Sequence, residues 1–312
     1  VSIRAAPIAW RKAAALWLLI GIGSALSGCT ALSFAVANAP ARLSQLSRST
    51  DIAYGELARQ QLDVYRPVAA AAAPAAADSV PHSHDSKPVI IFWYGGAWTE
   101  GTRARYRFIG AALSQLGYVT VLPDYRLYPE VRFPDFMTDG ARAVAWVQAH
   151  IADYGGDARR IVLMGHSAGA HMASLLVADP RYLKAANVDA ARIVGLIGLS
   201  GPYDLTPNTD ALHLIFAAPA TASEWQPVAQ QRRAAPPTLL IHGVDDELVR
   251  SIVSENYAAQ LRALGTDVTL RLYTHCDHIC PMAALSVPAR RRAATLADVA
   301  EFLRRLSAVP VK

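Results

Sequence analysis

Gly165-His166-Ser167-Ala168-Gly169 lies between the β-branched run Arg160-Ile161-Val162-Leu163-Met164 and the small-residue stretch Ala170-His171-Met172-Ala173-Ser174-Leu175-Leu176. Strand, tight turn and helix in that order make a nucleophile elbow. Glycines two residues to either side of the serine let strand and helix pass closely, and the turn lifts the Ser167 hydroxyl above the carboxyl end of a parallel sheet. The chemistry this allows is attack on a carbonyl carbon, with the amide of Ala168 at the start of the following helix favouring the oxyanion that develops. A serine hydroxyl is a poor nucleophile at neutral pH, so it needs a base, and the base needs an acid to hold its tautomer. In chain order the acid comes before the histidine. Two segments just past apolar runs offer these groups: His242-Gly243-Val244-Asp245-Asp246-Glu247-Leu248-Val249 and His275-Cys276-Asp277-His278-Ile279. On residue type alone Asp245 or Asp246 can be the acid and His275 or His278 the base. Further oxyanion donors are expected from Tyr94-Gly95-Gly96-Ala97-Trp98, where small side chains expose the N–H groups of Gly96 and Ala97.

These residues need a sheet to hold them. Strands are expected at 61–65, 89–93, 118–122, 160–164, 193–199, 238–241 and 268–273, alternating with helices at 106–116, 136–150, 170–176 and 292–306. Such alternation predicts an α/β fold, a mainly parallel sheet with helices on both faces. One catalytic domain is expected over 51–312, since 312 residues at 53% hydrophobic content can bury a single large core. The Ala/Pro-rich segment 67–88 reads as a surface loop, and 203–235, with Pro207, Pro219 and Pro227, as a small cap over the strand ends. Its shortness, compared with the lid of an interfacial lipase, predicts faster reaction of short acyl chains than long ones.

The formal charge of +5 invites a nucleic-acid partner, but Arg4, Arg11 and Lys12 precede an apolar run from Ala13 to Ala25 and then Leu26-Ser27-Gly28-Cys29. A charged start, apolar middle and small-residue end is the layout of a secretory signal. Removing those three cations leaves 27 basic against 25 acidic side chains, so no nucleic-acid partner is expected. Leu-Ser-Gly-Cys resembles a bacterial lipobox. That resemblance implies a signal over 1–28, lipid on Cys29, a tether over 29–50, and a protein anchored to a membrane of the cell envelope. An uncleaved anchor helix is the alternative. With Cys29 taken by lipid, Cys276 and Cys280 remain, in a compartment where a disulfide can form if the turn between them is suitable.

From Gln61 onward the chain resembles the α/β-hydrolase superfamily, in particular bacterial carboxylesterases related to hormone-sensitive lipase and to the feruloyl and acetylxylan esterase-like group. The residues that carry the resemblance are Tyr94-Gly95-Gly96-Ala97-Trp98, Asp124-Tyr125-Arg126-Leu127-Tyr128-Pro129-Glu130 and the elbow at 165–169. The family's Gly-x-x-Asp-x-x-Val falls on Gly243, Asp246 and Val249, which implies Asp246 as the acid. Its Tyr-x-Gly-x-Gly-His falls on Tyr273 to His278, which implies His278 as the base. The resemblance thus implies a serine hydrolase of small carboxylic esters, with Ser167, His278 and Asp246 catalytic and Gly96, Ala97 and Ala168 holding the oxyanion. No metal or organic cofactor is implied. Amide cleavage of the aryl-formamidase or peptidase kind, and a non-catalytic binding lipoprotein on the same scaffold, are the alternatives. The chain departs from the family in two places: Tyr94 stands where histidine is commoner, and His275, Cys276 and Asp277 stand where small residues are usual.

Other residue types carry less. His82 and His84 with Asp85 have metal-ligand chemistry but read as part of a solvated loop, and a zinc set drawn from His275, Cys276, His278 and Cys280 is too closely spaced for all four to face one ion. Arg103, Arg105 and Arg107 read as a solvated charged face, or as a greeting for an anionic substrate. Arg126 reads as a buried ion-pair partner and His166 as packing beside the nucleophile. His171 has no chemical role.

Overall fold

The computed structural model describes residues 32–43, 46–67, 86–230 and 235–307. The signal, Cys29 and most of the Ala/Pro-rich loop lie outside them. Eight strands form one sheet: β1 (Ser47–Ala53), β2 (Gln61–Arg66), β3 (Lys87–Trp93), β4 (Val119–Pro123), β5 (Gly156–His166), β6 (Ile193–Leu199), β7 (Thr238–Gly243) and β8 (Val268–Tyr273). Their order is β1-β2-β4-β3-β5-β6-β7-β8. The first two pairings, β1 with β2 and β2 with β4, are antiparallel, and every other neighbour pair is parallel. The inner strands carry buried apolar runs because the sheet is covered by helices, as a parallel sheet requires. Val89, Ile90, Ile91, Phe92 and Trp93 are all fully buried.

The helices are α1 (32–43), α2 (Arg107–Gln115), α3 (Asp135–His150), α4 (Ala168–Ala178), α5 (Pro180–Ala185), α6 (Asp210–Ile215), α7 (Ala222–Trp225), α8 (Ile252–Ala263), α9 (Cys280–Ala283) and α10 (Thr295–Ser307). Parallel pairing in register brings the carboxyl ends of β3 and β5 side by side, with Trp93 opposite Gly165, and those of β7 and β8 likewise, with Gly243 opposite Tyr273. The loops that follow these four strands are the ones that carry the candidate residues.

Three segment assignments change. The expected tether at 29–50 holds α1 and the start of β1, so the folded unit begins well before residue 51. Phe34, Ala37, Asn38 and Ala41 form the inward face of α1, spaced three and four apart as a docked helix needs. Lys87 and Pro88, assigned to the Ala/Pro-rich loop, belong to β3. The 203–235 segment carries α6 and α7, but it packs against the donor loop, and none of its described residues lines the cavity above Ser167. Phe216 lies edge-on to Trp98 at 4.9 Å, and the Phe133 N–H donates to the Ile215 carbonyl at 3.1 Å.

Candidate active site

The elbow forms because the chain can be crowded only where Cβ atoms are missing. A Cβ on Gly165 would lie 2.2 Å from the Gly169 backbone, and one on Gly169 would lie 2.1 Å from the Trp93 carbonyl oxygen. Ser167 itself holds φ 52°, a left-handed conformation that costs a non-glycine residue about 1–3 kcal/mol and turns its side chain out of the sheet. Its Oγ–H donates to His278 Nε2 at 2.8 Å. His278 Nδ1–H in turn donates to Asp246 Oδ2 at 2.7 Å. Asp245, by contrast, is 57% exposed, and its carboxylate lies 3.9 Å from the ring of His275, which is 97% exposed.

Every acceptor position on Asp246 is used. Oδ1 takes the amides of Leu248 and Val249 at 3.0 and 2.8 Å, and Oδ2 takes His278 and also His242 Nε2–H at 3.0 Å. Burial alone would raise this carboxyl's pKa, but the hydrogen bonds from His242, His278 and the Val249 amide hold it well below the usual carboxylate range. His242 was not singled out in the sequence. It is fully buried at the end of β7, where its Nε2–H is shared with the Val249 carbonyl at 2.7 Å and its Nδ1 accepts from Ser254 Oγ at 2.6 Å. The signal was a histidine inside an apolar strand, directly before Gly243.

The loop carrying His278 is pinned from two sides. Cys276 and Cys280 are joined in a disulfide, so neither sulfur is available to a metal. A Cβ on Gly243 would meet the Cys276 carbonyl at 2.0 Å, so only glycine lets this loop lie against the end of β7. His166 adds a third tie, donating Nε2–H to the His278 carbonyl at 3.0 Å.

Beside Ser167 runs the donor loop, with Gly96, Ala97 and Trp98 all at positive φ. Gly95, Gly96 and Ala97 line the cavity that Ser167 faces. Ala168 is the first residue of α4, so its N–H has no acceptor within its own helix. Tyr94, where the family more often has histidine, anchors the loop from below. Its hydroxyl donates to Asp124 Oδ1 at 2.8 Å and accepts from Arg59 at 2.9 Å, while its ring stacks on Tyr125 and Tyr106.

Arg103 is neither on a solvated face nor open to substrate. It is 8% exposed, with Nε 2.8 Å from Asp63, and it also pairs with Asp124 and Asp51. Arg126 chelates the fully buried Asp139 at 2.8–3.0 Å. Both ion pairs sit under the donor loop and the Asp124-Tyr125-Arg126 turn. A buried charge is tolerated there because every partner is satisfied.

The cavity above Ser167 measures about 530 Å³. Among the described residues its walls come from the donor loop, the 103–108 region, Leu248, the 278–283 segment and α1, with none from the segment assigned as a cap.

Two buried histidines make stability depend on pH. Burial, with the neighbouring His278 adding to it, lowers His166 from 6.5 to about 3, and burial lowers His171 to about 4. His171 donates to the Trp225 carbonyl at 2.6 Å, which ties α4 to α7. Between pH 6.5 and 4 the unfolded chain binds protons at these positions that the folded chain refuses, so stability present above pH 6.5 is lost as the pH falls. At pH 5 each histidine costs about 2 kcal/mol. The Tm is expected to fall by roughly 10 °C between pH 7.5 and pH 5. A Tm that holds level over this range would mean that the two rings are not buried in neutral form.

The BD-FAE family model matches residues 79–261 of the chain. His278 lies beyond that match. Among curated relatives, the chain is 31% identical over 252 residues to a probable isoprenylcysteine alpha-carbonyl methylesterase of Arabidopsis thaliana, an alignment covering 72% of this chain and 50% of the relative. It is 33% identical over 234 residues to the probable carboxylic ester hydrolase LipM of Mycobacterium tuberculosis, covering 69% and 52%. The chain thus spans about half the length of these relatives. Among solved structures, a truncated carbohydrate esterase from gut microbiota superposes with a TM-score of 0.69 at 19% identity, covering 84% of this chain and 97% of that one. Esterase 2 of Thermogutta terrifontis gives 0.66 at 23%, covering 86% and 97%. Likeness at these identities is a likeness of fold.

Proposed function

The chain belongs to the BD-FAE family of α/β-hydrolases, and from that premise we propose that it hydrolyses small carboxylic esters through a covalent acyl-Ser167 intermediate. The observation that carries this reading is the continuous hydrogen-bonded line from Ser167 through His278 to Asp246, at the mouth of a cavity large enough for an organic substrate. With Nδ1–H committed to Asp246, Nε2 is the bare nitrogen that accepts the Ser167 proton.

Ser167 Oγ bonds to the ester carbonyl carbon as its proton passes to His278 Nε2. The carbonyl oxygen becomes an oxyanion held by the amides of Gly96, Ala97 and Ala168. Collapse breaks the bond to the alkoxy oxygen, which leaves as alcohol with the proton from His278. A water then attacks the acyl-Ser167 carbonyl and gives His278 its proton. The second collapse releases the carboxylic acid and returns that proton to Ser167 Oγ. Asp246, kept ionised by its four donors, stabilises the imidazolium at both stages.

Substrate support comes from the relatives named as esterases and ester hydrolases. The test is turnover of an aryl acetate and the matching aryl formamide by the same preparation, with the ester expected to be faster by at least about a hundredfold in kcat/KM. A faster formamide would replace the ester reading with amide cleavage, and turnover of neither would favour a binding scaffold.

The anchoring of the protein to a membrane of the cell envelope through lipid on Cys29 is part of the same proposal, and it is supported by Leu26-Ser27-Gly28-Cys29 after the apolar run. Cys29→Ala is expected to move the protein from the membrane fraction to the soluble one. Full retention on membranes would remove the lipid anchor from the account and leave the chemistry untouched.

A further inference from the structure

The cavity does not end at the reacting serine. From the donor loop and His278 it extends to α1, whose Ser33, Phe34 and Ala37 line its far side. At about 530 Å³ it falls within the range that encloses most of a drug-sized ligand. The lining includes the apolar side chains of Phe34 and Ala37 from α1 with Phe108, Met282 and Ala283, beside the polar Ser33, Thr99, Glu100 and Arg105.

Asn38 ties the helix that supplies this wall to the start of α2. No side chain caps the start of α2 from its own segment, and the N–H of Phe108 in its first turn has no acceptor within the helix. Asn38 supplies the missing acceptor from α1: its Oδ1 takes the Phe108 N–H at 2.9 Å, and its Nδ2 donates to the Arg105 carbonyl at 2.8 Å. The same Nδ2 donates to the Phe34 carbonyl at 2.9 Å. Phe34 then lies edge-on to Tyr106 at 5.1 Å, with the Arg105 guanidinium over its ring at 5.8 Å. A buried asparagine satisfied on both ends fixes position as well as contact, because any shift of α1 would leave two backbone groups unpaired.

We infer that α1 is the substrate-selecting wall, and that the site takes esters carrying an extended apolar chain, laid along Phe34 and Ala37 while the carbonyl sits at Ser167; this runs against the short-chain expectation drawn from the 203–235 segment, none of whose described residues lines the cavity. This rests on the esterase reading and names the substrate class for it. The chain can enter as the acyl group or as the alcohol, since either side of the ester can point toward α1.

The test fills the wall in steps, with Ala37→Val and Ala37→Trp made in the full chain. Two substrate series are compared, 4-nitrophenyl acetate, butanoate and octanoate for the acyl side, and methyl, butyl and octyl acetate for the alcohol side. The readout is the ratio of kcat/KM for the longest to the shortest member within each variant, which cancels any difference in the fraction of folded protein. In the series whose chain lies along α1, the ratio is expected to fall about threefold with Val and tenfold or more with Trp, mainly through KM. The series that responds identifies the side of the ester. Ratios within about twofold of wild type in both series, from variants that still turn over ester, would overturn the assignment of α1 while leaving the esterase reading intact. If wild type hydrolyses no ester at all, the underlying reading fails and takes this inference with it.

Discussion

Replacing Ser167 by alanine is expected to lower kcat for an aryl ester by about a millionfold, the scale seen when the nucleophile of a triad is removed. The hydroxyl hydrogen-bonded to His278 Nε2 is that of Ser167, and without it His278 has no serine proton to accept. Amides aimed at the oxyanion should still leave a residual rate roughly 10³ to 10⁴ above water. Such a remainder separates loss of the nucleophile from loss of the fold. A variant that retains more than about a tenth of wild-type kcat would move the covalent step to another residue.

Asp246→Asn is expected to cost about 10⁴ in kcat, while Asp245→Asn changes it less than about threefold. The asymmetry follows from the hydrogen bonds. The amides of Leu248 and Val249 require an oxygen at the Oδ1 position, so the new NH₂ group must take the place of Oδ2. There it meets two N–H donors, His278 Nδ1–H and His242 Nε2–H. His278 relieves the conflict by shifting its proton to Nε2, which then faces Ser167 with nothing to accept. Asp245 has no contact with His278 and sits half-exposed beside His275. A larger loss at position 245 than at 246, measured with the same ester, would reverse the assignment of the orienting acid.

Much of this arrangement was legible because motifs at strand ends are read locally. The elbow and the Gly-x-x-Asp-x-x-Val turn each follow a buried apolar run, the last histidine follows the part-exposed β8, and in a parallel sheet such positions converge on one edge. Several strands were legible for the same reason: β3 and β7 carry the apolar runs 89–93 and 239–241, as burial on both faces demands. β1 was not. Its residues Ser-Arg-Ser-Thr-Asp-Ile-Ala form an exposed edge strand with no apolar alternation to detect.

α1 escaped for another reason. Its inward face is built from Phe34, Ala37, Asn38 and Ala41, so an asparagine and two alanines occupy positions where a hydrophobic pattern expects large apolar groups. Asn38 is buried because its partners, the Arg105 carbonyl and the Phe108 amide, lie far along the chain. Arg103 was misread on the same grounds, since its carboxylate partners Asp51, Asp63 and Asp124 come from three separate segments. His242 belongs with them, as nothing in the spacing of its own turn says which way the ring will point. What stayed hidden was tertiary pairing of polar side chains, and it includes the wall that shapes the cavity.

The central claim is a covalent bond between Ser167 and the acyl group, and a fluorophosphonate probe reads it directly by forming the same bond without a deacylation step. After reaction, intact-mass spectrometry of wild-type protein should show one probe adduct, fragmentation should place it on Ser167, and prior incubation with a good ester substrate should slow its formation. Ser167→Ala should remain unlabelled under the same conditions. An adduct on a different residue, or a wild-type protein that hydrolyses esters while refusing the probe, would contradict the account.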